Sequence, residues 1–432
     1  MEKYFYQDFN RSTYHQQLAN GLNVVLMPMP GFNKTYAMMT TNFGSIDNCF
    51  VPYSGQEPIH VPDGVAHFLE HKLFEKKDYD AFDLFGKLGA DSNAFTSFTQ
   101  TSYLFSTTSH LHENIDILLD FVQQPYFTAQ TVQKEQGIIG QEIQMYDDDP
   151  NWRLYLGMLG NLYPHDPMHI DIAGTVESIS KITPEILMEN YRTFYQPSNM
   201  TLLLVGNLDP EETIKWVVAN QEKKDFAPQE KPDRRFKLND PTGKDVIPFR
   251  SLTMNVNRPK VMVGIRGLKS FDDGRARLKY KLAVDLLLDV LLDDTSDNYL
   301  RLYDEGVIDD SFSYNLDMQR AFYFAYFSTN TDQTEKFADE VMRILEDADQ
   351  QIDQAAARFE GVKRGELGRL IGLLNSPETI GNRYAGQLFD GANLMDEVRM
   401  MRTITLDDLK AAAADFINPD GMSVYQIVPQ HQ

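Results

Sequence analysis

Two stretches of this 432-residue chain repeat one another at a constant distance, and this repeat constrains the fold more than any other feature of the sequence. Matching positions, such as 182 and 404 or 200 and 422, are all 222 residues apart without a gap. Such self-similarity indicates a duplication, although a helix followed by proline, a turn and a strand also arises by convergence. We therefore predict two related domains. The repeat consists of Ile182-Thr183-Pro184-Glu185, Phe194, Pro197 and Met200 in the first half, and of Ile404-Thr405-Leu406-Asp407, Phe416, Pro419 and Met422 in the second.

Hydrophobic periodicity predicts that each domain combines strands with helices. Short apolar runs mark strands, and apolar residues at helical spacing, such as Leu111, Ile115 and Leu118, mark amphipathic helices. The fold class that we predict is α+β, with two homologous domains that each consist of a mainly antiparallel sheet covered by helices. Strands are predicted at 22–27, 36–43, 92–98, 102–107, 200–205, 261–265, 311–316 and 321–329, and helices at 64–76, 110–124, 129–146, 275–302, 333–348 and 353–374.

The composition changes in the middle of the chain, where a linker is predicted. From about residue 220 to 248, Lys, Asp, Pro and Gln are frequent, and the apolar positions have no clear period. We therefore predict an N-terminal domain at residues 1–222, a linker at 223–248 and a C-terminal homologous domain at 249–432.

The charge balance argues against several classes of partner. The sequence has 40 Lys and Arg against 63 Asp and Glu, which gives a formal net charge of −23. Nucleic acids and anionic membranes bind clustered Lys and Arg, so we predict no nucleic-acid partner. An acidic surface suits a basic peptide substrate, although solubility is its commonest explanation.

The sequence predicts no membrane span and no oxidising compartment. It contains no stretch of about 18 apolar residues, and its first five residues lack the basic and apolar character of a signal peptide. Cys49 is the only cysteine, which excludes a disulfide within the chain. We therefore expect a cytoplasmic protein.

One five-residue segment, His67-Phe68-Leu69-Glu70-His71, carries metal-site chemistry. Residues four apart share one face of a helix, so the two imidazoles point the same way and the Glu70 carboxylate leans over the same face. Neutral imidazoles suit Zn²⁺, which takes three protein ligands in a catalytic site and leaves one position open. A carboxylate that is not a ligand then acts as general base toward a water that the metal acidifies. The order His-x-x-Glu-His is that of the inverzincins.

A third ligand has to come from another part of the chain, and the helix predicted at 129–146 offers two carboxylates. Glu135 and Glu142 are seven residues apart, so they point the same way after about two turns. Helix carboxylates usually face solvent, but Ile138, Ile139 and Ile143 indicate that part of this helix faces the interior. The spacing alone leaves open which glutamate binds the metal.

These residues resemble the pitrilysin-type family of inverzincin metallopeptidases, which includes mitochondrial processing peptidases and insulin-degrading enzymes. In that family a glutamate ligand follows the zinc helix after about seventy residues, and a second glutamate precedes that ligand by seven. The family also has a Gly and then Asn-Ala-x-Thr after the zinc helix. The resemblance extends over the whole chain, and residues 137–150 are similar to a bacterial subgroup of two-domain processing peptidases that work as pairs of unlike subunits.

The resemblance implies which residues form the metal site. His67, His71 and Glu142 would bind one Zn²⁺ per chain, and Glu70 would be the catalytic base. Glu135 would support the site by orienting a histidine or otherwise holding the ligands in place.

The resemblance also implies how a substrate binds. The segment Asn93-Ala94-Phe95-Thr96, which follows Gly89 as the family pattern requires, would bind the peptide substrate as an additional strand. Two bowl-like halves would enclose a chamber, and this chamber would admit short or unfolded peptides.

The second half departs from the family pattern. Active two-domain members place an Arg and a Tyr seven residues apart there, and these side chains stabilise the oxyanion of the tetrahedral intermediate. Here Ile308 stands seven residues after Arg301, and a shifted register places Tyr303 or Asp304 at the position of the Arg. The second half also has no His-x-x-Glu-His of its own. A paralogous subunit without the zinc motif, or a second copy of this chain in a homodimer, would then supply the missing donors.

Two other interpretations compete with a zinc endopeptidase. The first is a weakly active or inactive binding subunit that needs a paralogous partner, which the altered Arg/Tyr pair favours and the intact His67, Glu70 and His71 oppose. The second is a purely structural zinc site. Three ligands with a spare carboxylate are more typical of an open site than of a closed structural one.

Overall fold

The structure, a computed structural model, describes residues 1–53, 55–226, 229–386 and 388–430. Residues 227 and 228, within the predicted linker, lie outside this part of the chain. The strands are β1 (Glu2–Tyr6), β2 (Arg11–Gln17), β3 (Asn23–Pro28), β4 (Thr35–Thr41), β5 (Cys49–Phe50), β6 (Ile59–His60), β7 (Asp91–Thr96), β8 (Thr101–Thr107), β9 (Met200–Gly206), β10 (Phe249–Met254), β11 (Lys260–Arg266), β12 (Ser313–Met318), β13 (Tyr323–Asn330) and β14 (Met422–Pro429).

The α-helices cover both sheets. None of those in the described ranges is both long and apolar enough to cross a membrane. They are α1 (Val65–Phe74), α2 (Ala81–Lys87), α3 (Leu111–Val122), α4 (Ala129–Asp147), α5 (Pro150–Leu162), α6 (Val176–Ile179), α7 (Pro184–Phe194), α8 (Pro210–Gln221), α9 (Gly274–Leu292), α10 (Asp297–Asp304), α11 (Thr334–Glu346), α12 (Ala348–Gln354), α13 (Ala356–Leu373), α14 (Pro377–Asn382), α15 (Leu394–Met401) and α16 (Leu406–Phe416).

The chain forms two compact units, and each unit contains a segment from the other half of the sequence. α5 packs on β11 and β14 of the second unit, and α14 packs on β4 and β9 of the first. The division into 1–222, 223–248 and 249–432 stays a prediction. The first unit consists of Met1–Gln144, Asp171–Phe236 and Asn375–Arg383, and the second of Met145–Ile170, Lys237–Leu374 and Tyr384–Gln432.

The first unit is built on a seven-stranded sheet with the order β1-β2-β3-β9-β4-β8-β7. Only β3 and β9 are parallel to one another among its paired strands, so the sheet is mainly antiparallel, as predicted. Its core contains Leu69 of α1, Leu118 of α3 and Leu202 of the central strand β9. β7 lies at one edge of this sheet.

The second unit repeats this topology with five strands in the order β10-β14-β11-β13-β12. Here β10 and β14 form the parallel pair, at the position of β3 and β9, and the other pairs are antiparallel. The predicted fold class, α+β with two homologous halves, is therefore confirmed.

The repeat found in the sequence has the same structure in both halves. α7 and α16 begin at residues 184 and 406, and the strands that follow them begin at residues 200 and 422, so the spacing of 222 holds for both elements. The side chains of Thr183 and Thr405 cap these helices by accepting hydrogen bonds from the backbone N–H of Ile186 and Asp408. The duplication thus extends to the capping chemistry.

Some elements differ from the sequence prediction. The helix predicted at 275–302 is two helices, α9 and α10, because the chain turns at 293–296 and the Ser296 side chain caps α10 by accepting from Tyr299 N–H. The strands β1 and β2 and the helices α5 and α8 were not predicted. The strands have few apolar residues in alternation, whereas α5 has Leu154, Met158 and Leu162 at helical spacing, which the prediction overlooked.

Candidate metal centre and active site

Two glycines allow the start of helix α1 to approach the loop at 171–174. Gly64 has a φ of 91°, and a Cβ on it would lie 2.4 Å from the carbonyl oxygen of Ala173. Gly174 has a φ of 78°, and its Cβ would lie 2.5 Å from the carbonyl oxygen of Asp63. Only glycine combines this left-handed backbone with so close an approach. The N-terminus of the histidine-bearing helix is therefore held firmly in the first unit.

Helix α1 buries one face and turns its two histidines the other way. Phe68, Leu69 and Leu73 are fully buried in the core of the first unit. His67 and His71 lie four residues apart, and their ring centroids are 4.5 Å from one another. Their side chains are only 12% and 25% exposed, so both rings are largely buried.

Helix α4 places two glutamates next to these rings. Val132, Ile139 and Ile143 anchor this helix in the same core. Glu142 Oε1 is 3.6 Å from His67 Nε2, and Glu142 Oε2 is 3.5 Å from His71 Nε2. The predicted ligand set therefore comes together in space, and Glu142 is the glutamate that faces both imidazoles.

The spacing of these atoms fits a zinc ion. Ligand atoms about 2.0–2.2 Å from a tetrahedral Zn²⁺ are about 3.3–3.6 Å from one another. The two nitrogen–oxygen distances fall within this range and are too long for strong hydrogen bonds. Among the described residues, His67, His71 and Glu142 are the one group of three candidate ligands whose donor atoms all lie within 4.8 Å of one another.

Glu135 binds the outer nitrogen of one histidine. His71 Nδ1 donates to Glu135 Oε1 over 3.0 Å, and the Glu135 side chain is 11% exposed. A proton on Nδ1 leaves the lone pair on Nε2, the atom that faces Glu142. His67 Nδ1 is buried and has no hydrogen-bond partner in the part of the chain that the structure describes.

The surroundings shift the pKa values of the two histidines in opposite directions. Burial, followed by the nearby His71, lowers the pKa of His67 to about 3, so this ring is neutral at physiological pH. Burial alone would lower the pKa of His71, but the hydrogen bond to Glu135 and the charges of Glu70, Glu135 and Glu142 raise it above its ordinary value. Binding of a metal at His71 therefore competes with a proton.

Glu70 lies beside the ligands without being one of them. It is buried, and its Oε2 accepts a hydrogen bond of 2.6 Å from the hydroxyl of Thr96. Burial raises the pKa of Glu70, and the charge of Glu142 adds to this effect, while the Thr96 hydrogen bond and His71 oppose it. A carboxylate with a raised pKa is suited to accept and return a proton near neutral pH.

The other predicted substrate residues lie on β7, at the edge of the first sheet. Asn93 and Ala94 line a cavity of about 610 Å³ together with Glu70, His71 and Glu135. The Asn93 side chain accepts a hydrogen bond from the N–H of Ala94 over 2.8 Å. The inner edge of β7 pairs with β8, and in the described ranges no strand pairs with its outer edge.

The sequence prediction missed the aromatic and basic walls of this cavity. Phe74 and Phe82 stack with their ring centroids 4.0 Å apart, and Tyr79, Lys76 and Lys134 also line the space. Phe74 is three residues after His71, so helical spacing alone places it near the same face of α1. The other residues come from a loop and two further helices, and nothing in the local sequence points to them.

Arg301 and Ile308, which stand where the resemblance implies oxyanion donors, have other contacts within the second unit. Arg301 on α10 forms an ion pair of 3.5 Å with Glu305 and a hydrogen-bonded ion pair of 2.5 Å with Glu340. Ile308 is buried at 3% exposure. Arg301 and Ile308 therefore do not form the Arg/Tyr pair that the resemblance implies.

Helix α9 of the second unit carries two carboxylates, Asp285 and Asp289, that are four residues apart like the two histidines of α1. Helix α1 ends at residue 74 and helix α9 at residue 292, and the same offset of 218 leads from His67 to Asp285 and from His71 to Asp289. These carboxylates have partners within the unit. Lys281 Nζ is 2.6 Å from Asp285, and the Tyr314 hydroxyl donates to Asp289 over 2.9 Å.

Two family models match successive parts of the chain. Residues 57–175 match the family described as Insulinase (Peptidase family M16), and residues 181–365 match the one described as Peptidase M16 inactive domain. The chain is 45% identical over 428 residues to the protein named uncharacterized zinc protease YmfH of Bacillus subtilis, and the match covers 98% of each chain.

Solved structures have the same fold over nearly the whole chain. A structure described as an M16-like peptidase from Alicyclobacillus acidocaldarius is similar with a TM-score of 0.90 and 34% identity, over 97% of this chain and 99% of that one. A protease from Helicobacter pylori has a TM-score of 0.77 at 18% identity, over 96% of this chain and 99% of that one, which shows a common fold alone.

Proposed function

The chain belongs to peptidase family M16, and on this premise we propose that it is a zinc-dependent endopeptidase that hydrolyses short or unfolded peptides. Zn²⁺ is its cofactor, bound once per chain in the first unit. Membership of this family agrees with the resemblance that the zinc motif and the internal repeat indicate.

The arrangement of His67, His71 and Glu142 is the observation that carries this proposal. Two imidazole nitrogens and one carboxylate face one another at the spacing of zinc ligands, and a buried carboxylate, Glu70, lies beside them without joining the set. A structural zinc site would use its fourth position for another protein ligand, whereas three ligands and a free carboxylate are typical of hydrolytic sites.

The roles of the side chains follow from this arrangement. Zn²⁺, when bound, polarises the scissile carbonyl and acidifies the attacking water. Glu70 accepts the proton of this water and returns it to the nitrogen of the leaving amine. Glu135 keeps His71 in the tautomer and the orientation that a metal ligand needs.

The free edge of β7 supports binding of an extended peptide. Main-chain groups of Asn93, Ala94 and Phe95 form hydrogen bonds with a peptide strand of any sequence, because every residue offers the same N–H and C=O groups. The cavity beside Asn93 and Ala94 accepts a substrate side chain. The main chain therefore provides affinity, and the cavity provides selectivity.

The oxyanion donors come from outside this chain in our proposal. Arg301 is paired with Glu340 and Glu305, and Ile308 is buried, so neither residue offers a donor. A paralogous subunit without the zinc motif, or a second copy of the chain, supplies them instead. By analogy with a single oxyanion-hole donor, their loss costs about 2.7–4 kcal/mol of transition-state stabilisation. Sedimentation analysis and mixing with a zinc-motif-lacking paralogue test this point, and a chain that is fastest alone as a monomer would refute it.

The proposed activity is tested by titrating Zn²⁺ into metal-free protein. Metal is removed with a chelator, and hydrolysis of internally quenched peptides is followed as zinc is added back. Activity is expected to rise until one equivalent is bound and then to remain constant. Hydrolysis by metal-free protein would contradict the proposal. It would also be contradicted if the chain binds one zinc but hydrolyses no peptide, either alone or in any mixture with its paralogues.

A further inference from the structure

Thr96 makes a direct contact with the proposed catalytic base. Its hydroxyl donates to Glu70 Oε2 over 2.6 Å, the distance of a strong hydrogen bond to a charged carboxylate. Glu70 is buried at 8% exposure, so few water molecules are available to replace this partner. The contact joins the end of β7 to the middle of α1, although the two residues are 26 positions apart in the sequence.

The other hydroxyl groups nearby do not compete for this proton. Thr101 lies opposite Thr96 in the β7–β8 pair, and their hydroxyl oxygens are 3.5 Å apart. The Thr101 hydroxyl donates its own proton to the carbonyl oxygen of Phe43 over 2.9 Å. A threonine hydroxyl has one proton, and the shorter contact of Thr96 is the one to Glu70. The hydroxyl of Thr96 is therefore directed at the carboxylate.

The hairpin that carries Thr96 is fixed to the rest of the first unit. Ser45 N–H donates to the carbonyl oxygen of Ser97 over 3.1 Å, and Ile46 N–H donates to that of Phe98 over 3.1 Å. The turn also packs against Gly44 so closely that a Cβ there would lie 2.3 Å from the nitrogen of Thr99. A donor on such a rigid support holds its acceptor in one orientation.

We propose that Thr96 is a positioning residue that holds one oxygen of Glu70, so that the other oxygen is aimed at the attacking water. This inference rests on the proposed function, in which Glu70 is the general base. It gives Thr96 a role different from the substrate binding that the Asn-Ala-x-Thr resemblance implies. Because Thr96 ends the strand to which substrate adds, it also links the substrate-binding edge to the base.

The test compares Thr96→Val, which removes the hydroxyl but keeps the shape, with Thr96→Ser, which keeps the hydroxyl. Both are measured on a quenched peptide as full-length, zinc-loaded protein in its most active assembly. Thr96→Val is expected to lower kcat about 10- to 100-fold, the effect of losing one hydrogen bond to a charged group, with KM within about twofold of the native value. Thr96→Ser is expected to recover kcat to within about threefold, and zinc content is expected to stay unchanged in both.

Thr40→Val is the matched control, because the Thr40 hydroxyl bonds to Ser102 over 2.8 Å in the same sheet and does not contact Glu70. A raised KM with unchanged kcat in Thr96→Val would assign Thr96 to substrate binding and overturn the proposal. Equal losses in Thr96→Val and Thr96→Ser would show that the hydroxyl is not responsible.

A second measurement keeps this proposal separate from the proposed function. Urea unfolding of Thr96→Val, Glu70→Gln and the double variant reports whether the two side chains interact, without any need for activity. Non-additive changes in the unfolding midpoint are expected, and additive changes would overturn the proposal. A native protein that binds zinc but never hydrolyses peptides would instead count against the proposed function alone.

Discussion

His71 donates a hydrogen bond from Nδ1 to Glu135 over 3.0 Å, and the opposite nitrogen of the same ring lies 3.5 Å from Glu142. The two glutamates of helix α4 therefore contact opposite sides of one imidazole. In the proposed site, Glu135 would set the tautomer of His71 and Glu142 would complete the ligand set. Such a division of roles would explain why two glutamates at a spacing of seven face the same imidazole.

Replacement of Glu135 by Gln is expected to weaken zinc binding about 10- to 100-fold, the typical cost of losing a carboxylate that supports a metal-binding histidine. The amide is uncharged and no longer favours the metal-binding orientation of His71. Competition with a chromogenic chelator measures the affinity. Glu113→Gln on α3 is the control, since this carboxylate is 57% exposed and lies 3.4 Å from His110, away from the candidate ligands. Equal affinities for Glu135→Gln and native protein would show that Glu135 does not support the site.

Asp289 in the second unit is expected to make stability depend on pH. Burial, and then the charge of Glu366, raise its pKa from 3.8 to about 7, with Asp285 acting in the same direction and Tyr314 and Arg369 opposing it. Because the pKa of Asp289 is higher in the folded than in the unfolded protein, the free energy of unfolding has its full value below about pH 4. It falls as the pH rises through about 7, where Asp289 ionises in the folded protein. The shift corresponds to at most about 4 kcal/mol.

Asp289→Asn removes this dependence, because the amide cannot ionise. The variant is expected to match the native protein at pH 4 and to be more stable than it at pH 8, as measured by the urea midpoint at each pH. Asp349→Asn on α12, at an exposed position, serves as the control. A variant that is less stable than native protein at pH 8 would refute the account of Asp289.

Sequence spacing predicted the candidate metal site, whose residues lie together in the structure, and the duplication, because both follow from regular spacing in the sequence. His67, Glu70 and His71 share a helix face by their spacing alone, and the repeat keeps its distance of 222 through the capping residues of α7 and α16. The spacing of Glu135 and Glu142 showed that both face one way. It did not show which of them faces the imidazoles, since that depends on where α4 lies against α1.

Sequence patterns did not predict which distant parts of the chain contact one another. α14, at residues 377–382, packs in the first unit, where Tyr36 donates from its hydroxyl to Asn382 over 2.6 Å. A Cβ on Gly381 would lie 2.4 Å from the Tyr36 ring, so this glycine is required by a partner far away in the sequence. The contact of Thr96 with Glu70 is of the same kind, because the strand signal at Thr96 does not reveal what its side chain meets.

Arg234 lies in the predicted linker, yet it pairs with a buried carboxylate of the first unit. Its Nε is 3.1 Å from Asp47 Oδ1, and the Asp47 side chain is fully buried. Arg234→Ala is expected to cost about 3–5 kcal/mol in the free energy of unfolding, because it leaves a buried charge without its partner. Its neighbour Arg235 is the matched control, since it is 51% exposed and Arg235→Ala is expected to cost less than about 1 kcal/mol. Similar losses in the two variants, compared by urea unfolding, would contradict this assignment.

Arg301 is expected to be dispensable for catalysis, although the resemblance to pitrilysin-type peptidases implies an arginine near this position. Its guanidinium is paired with Glu340 and Glu305. In the most active preparation of the protein, Arg301→Ala should leave kcat within about twofold and lower stability by less than about 1 kcal/mol, as for an exposed ion pair. Arg343→Ala, which breaks another ion pair with Glu340, is the control. A loss of kcat of about 100-fold or more with unchanged KM would identify Arg301 as an oxyanion donor after all.

The central claim is that His67, His71 and Glu142 hold one zinc at which Glu70 acts as the base. The most direct test measures zinc content and peptide hydrolysis in the same samples of native protein and Glu70→Gln, in the most active assembly. The account predicts about one zinc per chain in both samples, with hydrolysis abolished only in the variant. Activity that survives in Glu70→Gln, or zinc that is lost together with activity, would contradict it.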